Sequence, residues 1–398
     1  MPTTSRWVIL SIVVIAFTQT HLQRMAFAPL IPTFVADLDL SYAAAGTLQT
    51  AYFWTYTLAQ IPIGVIADRW GVRRVMLTCM GLLALGALAF AASTTYLASL
   101  GARLLVGLGS AAVWVPGMRL LSEWFPPNER GRATGLMSAG GGLGGTVGLI
   151  VVPWLAAPLG WRVAYGATVV PALVTVLLIA TLLPPGKPAA GAAGTSPPSG
   201  DLRRVLATRA IWPINLAVLF CYGGYFSFVT YLPAFLVRDL GTSQAEAGLI
   251  TSLVTGGTIA SWPLAGVLSD RVGRRKPIYL ISQALSLVVC VTFALVVPDS
   301  GVVAAWVLAL AAGILIGGMI LPFVAVVELF PPASAATAAG VTNAACFVGS
   351  MTLPVLLGWV VDVTGSFPAA FLLAGVAQAL ALAFGAFMEE TGRARSAA

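Results

Sequence analysis

Few residues in this chain could do chemistry, and the most informative are charges set inside long apolar runs. Arg24 is the clearest. It stands about three residues past the centre of the apolar stretch 7–36, roughly 4.5 Å along the axis at 1.5 Å per helical residue. An ionisable group there is costly to bury in hydrocarbon and is a functional candidate by default. His21, the only histidine, lies one turn earlier, with Gln19 and Gln23 close by. Positions i and i+3 share a helical face, and Pro29 and Pro32 loosen the outer part of the same helix. A guanidinium with polar neighbours suits an anion, and a histidine can titrate near physiological pH. The competing reading keeps Arg24 on backbone carbonyls or snorkelling outward, with His21 a satisfied core histidine.

Two other arginines fall within apolar runs. Arg103 is nearer the outer side of its run, and Arg119 sits at i, i+4 from Glu123, a spacing that favours a local ion pair. The fourteen acids are placed differently: all lie in loops, the tail or the ends of apolar runs, such as Asp37, Asp39, Glu246 and Asp362. A cavity among these runs is therefore positive or neutral. Depth alone adds Tyr52, Tyr56, Tyr222, Tyr225, Thr255 and Asn343 as polar groups that either line such a cavity or bond between helices. Cys79, Cys221, Cys290 and Cys346 all fall in apolar runs, without CxxC or Cys/His metal spacing. No metal or other cofactor is expected, and no in-run carboxylate orients His21 for catalysis, so the reading is not an enzyme.

The second chemically distinct feature is a doubled basic stretch. Gly64-Val-Ile-Ala-Asp68-Arg69-Trp-Gly71-Val-Arg73-Arg74 returns as Gly266-Val-Leu-Ser-Asp270-Arg271-Val-Gly273-Arg274-Arg275-Lys276, at an offset of 202. Glu123-Trp-Phe-Pro-Pro likewise returns as Glu328-Leu-Phe-Pro-Pro at an offset of 205. Self-similarity at a nearly fixed offset is the mark of duplicated architecture.

The elements that must position these residues follow from composition. Among 398 residues 59% are hydrophobic and 9% charged, and the mean hydropathy is +0.93; a soluble chain carries about a quarter charged residues. Apolar runs long enough to cross a bilayer as helices recur throughout. They predict twelve spans, near 7–36, 42–67, 75–94, 96–124, 132–157, 162–183, 210–237, 244–268, 278–298, 302–329, 335–361 and 367–388. The first lacks a small-residue cleavage site and reads as a retained span rather than a signal peptide. With the N-terminus inside, sixteen of 21 basic residues fall in cytoplasmic segments, and only Arg162 and Arg238 fall in outside loops. That bias puts both termini in the cytoplasm. The net charge of +7 is thus a topology signal and not a nucleic-acid site. The stretch Pro184–Gly200, rich in Pro, Gly, Ala and Ser, cannot bury a core. The expected domains are a six-helix bundle over 1–183, a flexible cytoplasmic linker over 184–209, and a second six-helix bundle over 210–398 ending in a short tail.

Six spans plus six, a central linker and the doubled stretch resemble the major facilitator superfamily of secondary transporters, across essentially the whole chain. Its signature G-x-x-x-D-R-x-G-x-R-R is matched by Gly64, Asp68, Arg69, Gly71, Arg73 and Arg74, and echoed by Gly266, Asp270, Arg271, Gly273, Arg275 and Lys276, with Arg274 at the unspecified position between. A weaker R-x-x-x-G-x-G pattern is matched by Arg103, Gly107 and Gly109. The resemblance implies an all-α membrane fold of two bundles that rock about a midplane site, with the signature loops latching the cytoplasmic side. On that reading Glu123 pairs with Arg69, Arg73 or Arg74, Glu328 pairs with Arg271, Arg274 or Arg275, and Gly64 and Gly266 permit close helix contact. Arg103 takes a structural or coupling role.

Within the family, Gly109-Ser-Ala-Ala-Val-Trp-Val-Pro116 and the segment from Glu123 to Arg130 are similar to bacterial organic-anion/proton symporters. Where those tend to carry an acid before the arginine of span 1 and another after the glycines of span 4, this chain has Gln23 and Ser110. Coupling is therefore open between proton symport and exchange. The glycines 140–145 are similar to nitrate carriers, but spans 2 and 8 lack the arginines those use; close helix packing is the better use. The expectation is a monomeric inner-membrane carrier of a small mono- or dicarboxylate, whose partners are that substrate, the lipid bilayer and possible coupling protons, and no nucleic acid. A drug/proton antiporter is the alternative, although Gly144-Gly-Thr-Val-Gly148 lacks the expected proline. A non-transporting nutrient sensor on the same fold is the reading from another class.

Overall fold

The computed structural model describes residues 5–184 and 202–392. Every element among them is helical: α1 (Arg6–Met25), α2 (Ile31–Leu38), α3 (Tyr42–Trp70), α4 (Val72–Ala91), α5 (Tyr96–Ser110), α6 (Trp114–Trp124), α7 (Pro127–Ala167), α8 (Val169–Leu182), α9 (Leu202–Ala207), α10 (Ile211–Leu240), α11 (Gln244–Val272), α12 (Lys276–Leu295), α13 (Val297–Leu315), α14 (Leu321–Leu329), α15 (Pro332–Thr364) and α16 (Phe367–Ala386). Residues 185–201 of the expected linker, and Lys187, Arg393 and Arg395, lie outside the described residues. The end of that stretch is the short helix α9.

Local chemistry sets the boundaries. Ser5, Thr95 and Ser366 cap α1, α5 and α16 by accepting a backbone N–H. Pro127 and Pro332 open α7 and α15, where a missing N–H costs nothing. Internal prolines bend the longer runs. A 3₁₀ turn at Ala28–Leu30, containing Pro29, separates α1 from α2, as the loosened outer end of the first run predicts. The run 96–124 breaks between α5 and α6, just before Pro116, and the run 302–329 breaks at the 3₁₀ turn Ile316–Ile320, just before Pro322. Proline removes an i→i−4 bond and crowds the preceding turn. The two breaks fall at corresponding places in the duplicated sequence.

The signature stretches are tighter than loops. Gly64 to Trp70 forms the last turns of α3, and Arg73 and Arg74 already lie in α4. Gly71 alone makes the turn, with φ of 84°; Gly273 follows α11 with φ of 74°. Both values belong to backbone that only glycine adopts without strain. These second glycines of the motif are the ones the turn requires. Gly64 and Gly266 do not mark close helix contacts: a Cβ on Gly64 would meet only Val115 at 3.6 Å, and one on Gly266 would meet nothing within 4 Å.

Among the described residues nine segments are long and apolar enough to cross a membrane. One of them, Arg132–Leu182, covers two of the predicted spans and is broken at Gly160, with φ of 78° and ψ of 159°. The long helices α3 and α11 are not among the nine; each carries Gln and Thr residues and an Asp-Arg pair, and α11 also carries Ser.

The chain divides into two compact units. One comprises Met1–Leu40, Leu48–Ala192 and Ser243–Ser252; the other comprises Ser41–Thr47, Ala193–Thr242 and Leu253–Ala398. In the first, α1 packs on α7 and α8, and α4 on α5 and α8. In the second, α10 packs on α15 and α16, and α12 on α13 and α16. Position for position in the repeat, these are the same pairings. Small residues permit the closest of them: a Cβ on Gly144 of α7 would strike the Thr18 carbonyl of α1, and one on Gly349 of α15 would strike that of Leu219 on α10. The glycines 140–145 therefore serve packing. Leu58, Leu97, Val303 and Phe387 are exposed, apolar surface of the kind a bilayer covers. All four cysteines are free and buried.

Candidate functional site

In the first unit, Arg24 and its neighbours form one site. The Arg24 side chain leaves the last turn of α1 and is buried, 8% exposed. Its guanidinium carbon lies 5.3 Å from the Tyr52 ring centroid, 5.2 Å from Phe53 and 5.3 Å from Tyr56, all on α3. Aromatic faces attract a cation, the more so away from water. Tyr52 and Tyr56 stack with centroids 5.8 Å apart, and the Tyr56 hydroxyl also hydrogen-bonds with Arg24 and Gln60. The Tyr52 hydroxyl donates to the Thr20 carbonyl at 3.3 Å, and the Gln49 amide donates to the Arg24 carbonyl at 3.0 Å. The charge is thus held within the bundle rather than snorkelled to its edge.

His21 is half-buried against α7, where Gly141 leaves room for its ring. Its Nδ1 lies 3.1 Å from the Phe17 carbonyl. A carbonyl can only accept, so Nδ1 carries the proton. The Phe17 ring packs on it with centroids 4.3 Å apart. Gln23 is not on this face. Its amide donates to Thr168 Oγ1 at 2.8 Å and Gln19 donates to the Thr168 carbonyl at 3.0 Å; both glutamines tie α1 to the start of α8. A shift of one residue along a helix turns a side chain by about 100°, which separates Gln23 from Arg24.

Arg103 of α5 is completely buried and fully engaged. Nε donates to Leu48 O at 3.0 Å; Nη1 donates to Gln23 O and to the Tyr165 hydroxyl, both at 3.1 Å; Nη2 donates to Gln49 Oε1 at 3.2 Å and Gln49 O at 3.4 Å. Its carbon also lies 5.4 Å from the Phe27 ring centroid and 5.8 Å from that of Tyr52. The five donors of a guanidinium suit this junction of α1, α3, α5 and α7. Phe53, Gln49 and Tyr165 were not legible as site residues in the sequence, because their roles depend on which helices meet.

In the second unit, Tyr222 of α10 meets Phe323 edge-on, with centroids 5.6 Å apart. Tyr225 of the same helix borders a cavity beside Cys221 and Gln283, and Thr255 is buried on α11. Asn343 is exposed on α15; its neighbour Thr342 is the residue bonded into the bundle, donating to Asn215 Oδ1 at 2.8 Å.

At the signature stretches the expected pairs form in one copy only. Arg275 Nη2 donates to Glu328 Oε1 at 2.8 Å, and Nη1 donates to Ser269 Oγ at 2.6 Å and to Asp270 Oδ1. The Glu328 bond is the main reason the guanidinium is held further above its usual range, with Asp270 adding to it against partial burial. Glu390 accepts the backbone N–H groups of Arg275, at 2.8 Å, and Lys276, at 3.2 Å, capping α12. In the first copy Glu123 takes Arg119 instead, at 2.8 Å. The i, i+4 partner is already within reach on the same helix, while Arg73 donates to the Ala180 carbonyl. Arg69, Arg74, Arg271 and Arg274 are exposed; the Asp68 side chain lies outside what the structure describes.

Long helices with apolar outer faces around a buried guanidinium belong to the class of polytopic integral membrane proteins. The Major Facilitator Superfamily profile matches residues 13–238 and 214–397, and the chain belongs to that superfamily: it is a transporter and not an enzyme. It is similar to the probable galactarate/D-glucarate transporter of Bacillus subtilis, at 25% identity over 94% of this chain and 89% of the relative. It is also similar to the hexuronate transporter of the same organism, at 23% over 89% and 88%. The probable sulfoacetate transporter of Cupriavidus necator shares 25% identity over 93% and 91%. Among solved structures, a bacterial homologue of the human lysosomal transporter Spinster, inward-facing and unoccupied, superposes with a TM-score of 0.77 at 17% identity over 98% of this chain and 95% of that one. That likeness concerns the fold.

Proposed function

We propose that this protein carries a small organic anion, a mono- or dicarboxylate metabolite, across the bacterial inner membrane by alternating access. The single observation that carries this reading is Arg24, a buried guanidinium seated among Tyr52, Phe53 and Tyr56 in a chain whose acids all fall in loops, the tail or at span ends. A planar guanidinium presents two parallel donors to a carboxylate. His21, Gln23, Tyr52 and Tyr56 would orient the anion beside it, Gln23 from the neighbouring face of α1; Tyr222, Tyr225, Thr255 and Asn343 are proposed as substrate-binding residues of the second unit. The relatives are named for sugar acids and sulfoacetate; all are anions, which favours this reading over drug efflux. Transport would run as proton symport or exchange, by a monomer of twelve spans in two six-helix bundles over 1–183 and 210–398, with both termini cytoplasmic. The two signature stretches would latch the inner ends of the helices.

The test is thermal stabilisation of the purified protein by hexuronates, aldarates, short carboxylates, sugars and lipophilic cations, with Arg24→Gln alongside. Stabilisation by an acid, lost in a folded Arg24→Gln, is the expected result. Stabilisation by lipophilic cations alone would overturn the anion reading in favour of a drug antiporter, and an acid bound equally by the variant would remove Arg24 from the site.

A further inference from the structure

Beside Tyr225 of α10, inside the second unit, lies a pair of buried glutamines that the transport reading does not use. Gln283 of α12 and Gln378 of α16 are 1% and 3% exposed. Each amide is anchored on Cys221 of α10: Gln283 Nε2 donates to its Sγ at 3.0 Å, and Gln378 Nε2 donates to its carbonyl at 3.2 Å. Gly224 makes the second bond possible, since a Cβ there would stand 2.7 Å from Gln378 Nε2. Both Oε1 atoms are buried and accept from no protein group. Two buried amide oxygens left without donors are expensive, each carrying the cost of its lost hydration.

Both glutamines line the same cavity, with Cys221, Tyr225, Ser286 and Cys290. The space open to the centre of a water-sized molecule is about 20 Å³, and a single water needs about 10–15 Å³ on that measure, plus two to four polar partners. We propose that this cavity is the binding site of one ordered water, which donates to Gln283 Oε1 and Gln378 Oε1 and so bridges α12 to α16 against α10. The water's own oxygen can accept from the Cys221 thiol, a weak donor. The donor set argues against a metal cation: calcium takes six to eight oxygens, whereas the site offers two amide oxygens and no carboxylate, and its other walls include Phe228, Val254 and Ile316. The inference stands independently of the substrate.

Two measurements on the full-length protein test it. A density map at better than about 2 Å resolution should show one peak within about 2.6–3.2 Å of both oxygens. A double-mutant cycle on the melting temperature should be non-additive. Gln283→Met and Gln378→Met should each lower it by several degrees, because each strands the other amide oxygen. The double variant should fall by clearly less than the sum, since it leaves a dry apolar cavity with no stranded acceptor. An empty cavity in the map overturns the proposal, whether or not the variants fold, and so does a peak at metal–oxygen distances with added ligands. Strict additivity in folded variants overturns the shared water.

Discussion

Arg24 and Arg103 are both buried guanidiniums of the first unit, and their surroundings separate their roles. Arg103 spends its donors on Leu48, Gln23, Gln49 and Tyr165, so its removal strands several buried acceptors at once. Arg103→Ala should destabilise the protein by at least about 3 kcal/mol, read as a large fall in melting temperature or loss of the monodisperse peak. Arg103→Lys should recover only part of this, because an ammonium cannot reproduce the planar fork. Arg24 rests chiefly against aromatic faces, which bind a cation while leaving its charge to attract a ligand. Arg24→Gln should therefore fold, keep its melting temperature within a few degrees, and lose uptake of the transported acid in proteoliposomes; full uptake by the variant would sink its assignment. Gln23, the residue next to Arg24, bonds to α8, so Gln23→Leu should affect stability more than affinity.

Among elements, glycines that look alike in the chain divide by what stands opposite them. Gly144 faces the Thr18 backbone on α1, whereas Gly135 of the same helix α7 has nothing within 4 Å of a Cβ. Gly144→Ala should force α1 and α7 apart and cost about 1–3 kcal/mol, the usual range for overpacking. Gly135→Ala should be neutral or stabilising by up to about 1 kcal/mol through helix propensity. The signature stretches offer a second contrast. Gly273, with φ of 74°, should resist Gly273→Ala at a cost of about 1–3 kcal/mol. Gly266→Ala, inside α11 with open space beside it, should be tolerated. Thermal unfolding of the four variants checks both contrasts; equal effects within either pair would contradict the packing described here. The hydrophobic pattern revealed where helices run but not these distinctions, because a glycine's neighbour across a helix interface is remote in sequence.

For the whole molecule, the two units repeat one packing scheme, α1 on α7 and α8 in the first and α10 on α15 and α16 in the second. The repeat is not exact in its charges. Arg275, Asp270 and Glu328 assemble in the second copy, while Glu123 binds Arg119 in the first. Arg275→Ala should therefore disturb the inner end of the second unit, and Arg73→Ala should do so less in the first, because Arg73 donates to the uncharged Ala180 carbonyl rather than to a carboxylate. The proposed topology makes its own prediction: fluorescent-protein fusions after residue 190 and at the C-terminus should both fluoresce, and alkaline phosphatase at the same positions should be inactive. Active phosphatase at either position would reverse the orientation.

The sequence by itself determined the class. Apolar runs, the basic bias and the repeat at an offset of 202 are local or periodic features, and each acts through a cost that a single segment feels: hydrating a backbone, moving a charge across a bilayer, closing a turn at glycine. It also marked Arg24, because a charge inside an apolar run is conspicuous without knowledge of its partners. Tertiary structure alone decided which groups meet that charge. Phe53, Gln49 and Tyr165 became significant, Gln23 turned to α8, and Glu123 kept to its own helix. Those outcomes depend on helix rotation and on the competition between partners brought together from distant parts of the chain, and neither leaves a periodic trace in the sequence.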